Sequence, residues 1–370
     1  SVIEGGQGRF TAIYGSGFSE GFTTVRFGNV TVADRGPNTN DGIDVRYWTF
    51  ANDRLDVTVP TNAALPYIVM TEGGSSGRDT DVTNLPAIAQ TGAPAVVSEA
   101  SANVGQRVTL EGSGFTTNAP IASKVLLEAM DNAGMPYIVS VIPDSIANDG
   151  RSLVFTVPAE ARTGIATVLS GGSGKLLQIV PRVTFIDGGL GRFTAIFGSG
   201  FTEGFTTVRF GNVSLADRGP GTAAGIDVRY WTFGNDRLDV TAPTNAALPW
   251  VVITEGGFSG RPTDVTRVVA SATNGTPAVA TEASANVGQK VTLEGSGFTT
   301  NAPIATKVVL EAMNSEGIPY IITVTPDSVA ADGRSLVFTV PAEARTGTAV
   351  VLGGDGGRLL QIVPRLASVS

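Results

Sequence analysis

Histidine and cysteine are both absent from this chain of 370 residues. Its chemistry must therefore come from carboxylates, guanidinium groups, hydroxyls, amides and aromatic rings. Disulfides, cysteine nucleophiles, haem and iron–sulfur ligation, Ser-His-Asp triads and ordinary zinc sites are excluded at the outset. Carboxylates crowd one stretch, at Asp34, Asp41, Asp44, Asp53 and Asp56, and Asp227, Asp236 and Asp239 repeat its last three. Paired carboxylates hydrolyse glycosides when a cleft brings two of them together. Nothing in this spacing does so, and the chain reads as a non-enzyme. Oxygen ligands offered by turns would also suit calcium, with Asp53, Asp56, Asp236 and Asp239 as the candidate ligands. The alternative is that they are solvated turn and outward strand positions. No Asp-x-Asp-x-Asp-Gly loop is present, and the nearest run, Asp79-Thr-Asp81, becomes Pro262-Thr-Asp264 further along.

Aromatic rings beside arginines are the second candidate chemistry. Alternation along a strand through Tyr47-Trp48 puts Arg46, Trp48 and Phe50 on one face, and Arg229, Trp231 and Phe233 repeat the set. An exposed row of this kind can stack on sugar rings or dock another protein. The competing reading is that the same face packs against a neighbouring unit. Gly15-Ser-Gly-Phe18 has the glycines of a phosphate cradle but no helix after it and no lysine. It reads as a turn, with Phe18 plugging the end of a sandwich.

The elements that must position these groups repeat. Gly8-Arg-Phe-Thr-Ala-Ile-Tyr-Gly-Ser-Gly-Phe18 returns as Gly191-Arg-Phe-Thr-Ala-Ile-Phe-Gly-Ser-Gly-Phe201, and Asn103–Phe115 returns as Asn286–Phe298. The offset is 183 residues throughout, without a gap. Inside each copy, Gly-Ser-Gly-Phe occurs twice, at 15–18 and 112–115, then at 198–201 and 295–298. Four units follow, A-B-A′-B′, with boundaries at 1–86, 92–183, 184–270 and 275–370. Period-2 alternation in Leu55-Asp-Val-Thr-Val59 and in Leu153-Val-Phe-Thr-Val157 predicts strands with one inward row. Lys124–Glu128 and Met135–Ser140 read as a hairpin, and Ala159–Arg162 has room for one helical turn. Each A unit lacks an evident strand before its first phenylalanine. The segment 85–94, with two prolines, reads as a semi-stiff linker, and Leu176–Phe185 as one strand running from B into A′. The prediction is all-β: four tandem immunoglobulin-like β-sandwiches in an extended array.

Composition agrees. There are 47 glycines and 20 prolines, and charged residues make up 16% against a usual figure of about 25%. The net charge of −8 argues against a nucleic-acid partner, which needs a basic surface. No apolar run approaches the ~20 residues of a spanning helix, so no membrane insertion by helices is expected. The opening Ser1-Val-Ile-Glu-Gly5 has no methionine and reads as part of something longer.

Each unit resembles the IPT/TIG branch of immunoglobulin-like domains. The resemblance is carried by Gly105-Gln-Arg-Val-Thr-Leu-Glu-Gly-Ser-Gly-Phe115, by Val25-Arg-Phe-Gly28 and by the Asn-Asp…Val-Pro endings at 52–60 and 148–158. It implies tandem modules of bacterial surface and secreted proteins, receptors or polysaccharide-processing enzymes. The expectation is an extracellular or cell-surface structural and adhesive repeat protein, a stalk segment or filament subunit that self-associates. The alternative is a carbohydrate-binding accessory region of a larger secreted enzyme, with surface glycans as its partner.

Overall fold

A computed structural model describes residues 3–4, 7–36, 42–48, 52–77, 81–118, 122–131, 133–220, 225–231, 235–260, 264–301, 305–354 and 356–365. Among them every regular element is a β-strand. The chain forms two compact units, one of Ser1–Ile88 with Val96–Ile179, the other of Ala89–Ala95 with Val180–Ser370.

The first unit contains two sandwiches. In the first, one sheet runs Ile3–Glu4, Phe10–Gly15, Asn52–Thr58, Ile43–Trp48, and the other Val30–Ala33, Thr24–Phe27, Tyr67–Thr71, Gly74–Ser75. Alternation delivers Leu55, Val57 and Val59 to the interior, where they meet Val25 and Phe27, all fully buried. Burial of such side chains, at about 1.5–3 kcal/mol each, is what these short strands depend on. Tyr67 packs edge-on against Phe27, ring centres 4.7 Å apart.

The second sandwich pairs a sheet of Ala100–Ala102, Gly174–Ile179, Gly164–Val168, Val125–Met130 and Pro136–Val141 with one of Ser145–Ile146, Ser152–Thr156, Arg107–Ser113 and Asp81–Asn84. Val108, Leu110, Leu153, Phe155 and Val157 form its inward rows as the alternation predicts. The predicted hairpin is present, Val125 opposite Val141 and Met130 opposite Pro136. Ala100–Ala102 lies parallel to Leu177–Ile179, the one direction reversal in an otherwise antiparallel sheet. The Gly-Ser-Gly-Phe turns are plugs: Phe18 and Phe115 are buried, and a Cβ on Gly15 would sit 2.8 Å from the Phe18 ring.

Several expectations change. The segment after Leu85 is no semi-stiff tether between independent sandwiches. On the strand Val125–Met130, Val125 and Leu127 enter the second core while Leu126 enters the first, joined there by Ile138, Ile165 and Leu169. One sheet is thus buried on both faces, and the two sandwiches form one compact body. The second unit repeats this with Val308 and Leu310 on one side and Val309, Ile321, Val350 and Leu352 on the other. The A-type sheet does have a first strand, Ile3–Glu4 against Ile13 and Ala12, and Arg182–Asp187 in the second copy. The run 176–185 is two strands, Gly174–Ile179 and Arg182–Asp187, in different sheets; Pro181, with no N–H to donate, falls between them. Ala159–Arg162 makes a turn and a bridge from Ala161 to Ala129 rather than helix. Asp81–Asn84 joins the second sandwich through Arg107–Ser113.

The A-type hairpin sheet of the second unit has five strands. Ala93–Pro94 adds to the edge of Gly257–Phe258, ahead of Trp250–Thr254, Thr207–Phe210 and Val213–Ala216.

The shared sheet yields a direct test. Leu126→Ala should cost about 2–5 kcal/mol in urea unfolding, the usual loss for emptying a core site. A solvent-facing leucine would cost within about 0.5 kcal/mol.

Candidate functional site

The outward face of the A-type sheet gathers the charged and aromatic residues that the inward rows exclude. In the second unit, four strands run side by side: Arg182–Asp187, Phe193–Ser199, Asn235–Thr241 and Ile226–Trp231. Their register sets Phe185 opposite Phe197, Phe197 opposite Arg237 and Arg237 opposite Arg229. One rung along lie Asp187, Ala195, Asp239 and Asp227. Cross-strand neighbours on one face are within side-chain reach. The Arg237 guanidinium carbon lies 5.9 Å from the centre of the Phe193 ring and 5.7 Å from that of Phe197. Phe185 and Phe197 are 6.0 Å apart at a tilt. Two arginines directly opposed would repel, and Asp239 offsets this: Oδ1 accepts from Arg237 Nε at 2.5 Å, and Oδ2 lies 3.1 Å from Arg229 Nε.

At the edge of this face the partner sandwich of the same unit approaches closely. The Ile321 N–H donates to the Gly188 carbonyl at 3.0 Å. A Cβ on Gly189 would stand 2.4 Å from the Pro319 oxygen and 2.6 Å from the Tyr320 Cα, so only glycine fits there. Between the two sandwiches opens a groove of about 450 Å³ lined by Asp187, Arg192, Phe193, Phe197, Arg237, Asn314 and Tyr320, among others. That is within the usual span of ligand clefts, about 300–1,000 Å³. Phe193 is 57% exposed at its rim.

The first unit keeps the face and carries an ion pair at its rim. Arg54 lies 5.9 Å from both Phe10 and Tyr14, and Asp56 pairs with Arg54 at 2.5 Å and Arg46 at 2.9 Å. Asp131 stands where the second copy has Asn314, and it forms an ion pair with Arg9 at 3.3 Å.

Of the residues singled out from sequence, Arg46, Arg229, Asp56 and Asp239 lie on this face. Arg46 and Arg229 are exposed upon it, each bridged to two carboxylates. Trp48 and Trp231 end their strands opposite Asn52 and Asn235. The side chains of both tryptophans, and Phe50 and Phe233, lie outside the described residues, as does Asp79. Of the four aspartates considered for calcium, Asp236 and Asp239 are not brought together. Asp236 and Asp239 are three apart on one strand, hence on opposite faces. Asp236 is buried and accepts the Phe201 N–H at 3.0 Å, whereas Asp56 and Asp239 each give one oxygen to each of two guanidiniums. The Asp53 side chain is outside the described residues. Among those described, no group of three acidic side chains could hold a metal ion. Phe193, Phe197, Arg237, Asn314 and Tyr320 were missed from sequence. Alternation in Phe193-Thr-Ala-Ile-Phe197 marks the first two as sharing a face, but Asn314 and Tyr320 come to it only through tertiary packing.

No family model and no curated protein matches this sequence. Solved structures resemble it. One, described as a crystal structure with xylogluco-oligosaccharide, is 13% identical over 93% of this chain and 94% of its own, with a TM-score of 0.20. SGBP-B from a complex xyloglucan utilization locus in Bacteroides uniformis is 13% identical over 77% of this chain and 100% of its own, with a TM-score of 0.19. The I9–I11 tandem from titin is 11% identical, covering 68% and 91%, with a TM-score of 0.15.

At the plugged end of the A-type sandwich sits a buried acid. The Glu203 carboxyl is pushed up to about 7 by burial first, then by Asp217 and Asp227, against one backbone hydrogen bond at Val228. Glu20 is raised in the same way in the first unit. A folded-state value above the ordinary 4.5 means the folded protein holds this proton more tightly than the unfolded chain. The stability this proton confers is fully present below about pH 4.5 and is lost as pH rises through about 7. Glu203→Gln should flatten that window and raise Tm at pH 8 by about 2–4 °C in calorimetry, leaving Tm at pH 4.5 nearly unchanged.

Proposed function

We propose that this chain is a non-catalytic, carbohydrate-binding region of a bacterial cell-surface or secreted protein. Its glycan site is the groove beside Phe193 in the second unit. The observation that carries the reading is the Phe193–Arg237–Phe197 row, an exposed aromatic face beside Asn314, Asp187 and Tyr320. A sugar presents an apolar C–H face and a rim of hydroxyls. Aromatic faces cover the first, and planar amide, carboxylate and guanidinium groups pair with the second. The charged lining groups are of both signs, and Arg237 is already balanced by Asp239, so a neutral saccharide suits it better than an acidic one. Arg229 and the strand ending in Trp231 extend the same face and would add subsites; Arg46 and the strand ending in Trp48 hold the equivalent places in the first unit.

A second reading, a structural repeat that spaces other modules from a surface, is supported by the whole-chain duplication and the buried A–B joint within each unit. The two readings are compatible in one molecule.

Titration calorimetry with neutral hexose oligosaccharides of four to eight units tests the first. Binding should weaken at least about tenfold in Phe193→Ala, roughly 1.4 kcal/mol. Asn314→Asp should weaken it too, by restoring beside Arg192 the ion pair that Arg9 and Asp131 make in the first unit. Absence of binding across neutral saccharides, or affinity indifferent to Phe193→Ala, would remove the groove from consideration.

A further inference from the structure

One short ladder in the second unit has both of its halves repeated elsewhere in the chain without partners. Ala93 pairs with Phe258 and Pro94 with Gly257, and the Ala95 N–H donates to the Gly256 carbonyl at 3.1 Å. The fit is close. A Cβ on Gly257 would stand 2.0 Å from the Ala93 oxygen, and one on Gly92 would stand 2.6 Å from the Phe258 oxygen. Gly256, Gly257 and Ser259 are accordingly buried.

The 183-residue offset identifies the counterparts. The hairpin's counterpart is Gly73–Ser75, in the same conformation. Gly74 has φ +129° against +135° at Gly257. Ser76 N donates to the Val69 carbonyl at 2.7 Å and its Oγ accepts from the Val69 N–H at 2.9 Å, as Ser259 does with Val252 at 2.7 and 3.0 Å. Yet Gly73, Gly74, Ser75 and Ser76 are exposed, and a Cβ on Gly74 would meet nothing within 4 Å. The edge strand's counterpart is Gly275–Ala278. It is pinned at one end by Asn286, which accepts from the Asn274 N–H at 2.9 Å and donates to its carbonyl at 2.9 Å. Gln361 pins the other, accepting from the Val279 N–H at 2.8 Å and donating to its carbonyl at 2.8 Å. Between these pins Gly275, Thr276 and Ala278 are exposed. A preformed donor and a preformed acceptor, neither paired with a further strand among the described residues, lie on one chain.

We propose that Gly275–Ala278 adds as an edge strand to the Gly73–Ser75 hairpin of a second copy of this chain, so that copies join head to tail. Strand addition of this kind takes affinity from backbone hydrogen bonds. A contact between two different patches does not close on itself and propagates into open chains. The one substitution in the acceptor sets its strength: Phe258 in the occupied ladder is Ser75 in the free one. The occupied ladder is also intramolecular, with a high effective concentration that a second copy must replace with its own. The head-to-tail contact is therefore weak and concentration-dependent.

The absence of cysteine gives a clean test. The residues equivalent to the paired Phe258 and Ala93 are Ser75 and Thr276, and ladder partners lie about 4.5–5.5 Å apart at Cα, within disulfide reach. In the double variant Ser75→Cys, Thr276→Cys, mild oxidation at high protein concentration should give a ladder of disulfide-linked oligomers that reductant collapses. Ala93→Cys with Phe258→Cys should close within one chain and give no oligomer, confirming the ladder's geometry. Val97→Cys with Thr276→Cys, joining an exposed site outside any ladder, measures random collision. Cross-linking of the Ser75/Thr276 pair no faster than this control would overturn the proposal. By sedimentation velocity, Ser75→Phe should associate at about tenfold lower concentration than the unmodified chain, since it restores the partly buried ring that Phe258 places in the occupied ladder. Association unchanged by Ser75→Phe would equally overturn it. Neither readout depends on whether the groove beside Phe193 binds sugar.

Discussion

A single sheet in each unit has to satisfy two hydrophobic cores at once, and most of the architecture follows from that requirement. Val125 and Leu127 face one interior while Leu126 faces the other, so both faces of the strand are covered there. A sheet in this position reads as a continuous apolar run, where a half-exposed one alternates. The strand fixes the angle at which the two sandwiches meet within a unit. In the second unit its counterpart, Val308–Met313, pairs with Pro319–Val324 and so carries Pro319–Tyr320 against Gly189 beside the groove at Phe193.

Duplication has let the two units diverge at a few positions while this constraint holds. Tyr67 becomes Trp250 in the core, and both rings stand edge-on to a phenylalanine, at 4.7 and 4.8 Å. At the rim, Asp131 becomes Asn314, which removes the acidic partner that Arg9 has in the first unit. At the hairpin tip, Ser75 becomes Phe258, and the tip that carries the ring is the one that is covered. Each change alters one local property and leaves the strand register intact, which is why the copies keep one pattern but differ in chemistry.

Much of this was legible in the residues. The duplication, the all-β class, the inward rows through Leu55 and Leu153, the hairpin at 125–141 and the plugging phenylalanines all follow from short-range pattern. What escaped depended on pairing across long separations. Lys124-Val-Leu-Leu-Glu128 signalled a strand but not that its middle leucine serves another sandwich, although three apolar residues in a row were the clue. The first strand Ile3–Glu4 is two residues long and has no periodicity to detect. Asp56 was legible as outward-facing, yet the two guanidiniums that bury it come from Arg46 on one strand and Arg54 on its own. Arg46 and Arg229 were visible in sequence as arginines beside aromatic residues, and both are exposed on the outward face. The aromatic half of it, on Phe193–Ser199, needed the register to show which strand lies alongside.

The parallel pairs Ala100–Ala102 with Leu177–Ile179, and Ala283–Ala285 with Leu360–Ile362, bear on what happens when the chain is pulled. In each B-type sandwich these strands lie near its entry and exit. Tension entering through the first and leaving through the second runs along the ladder in opposite senses, so its hydrogen bonds are sheared together instead of peeled one at a time. Force resisted in that way tests the barrier to unfolding more than the equilibrium stability. A sandwich held by only three registered pairs on that edge can therefore be mechanically stiff while remaining modest in thermodynamic terms.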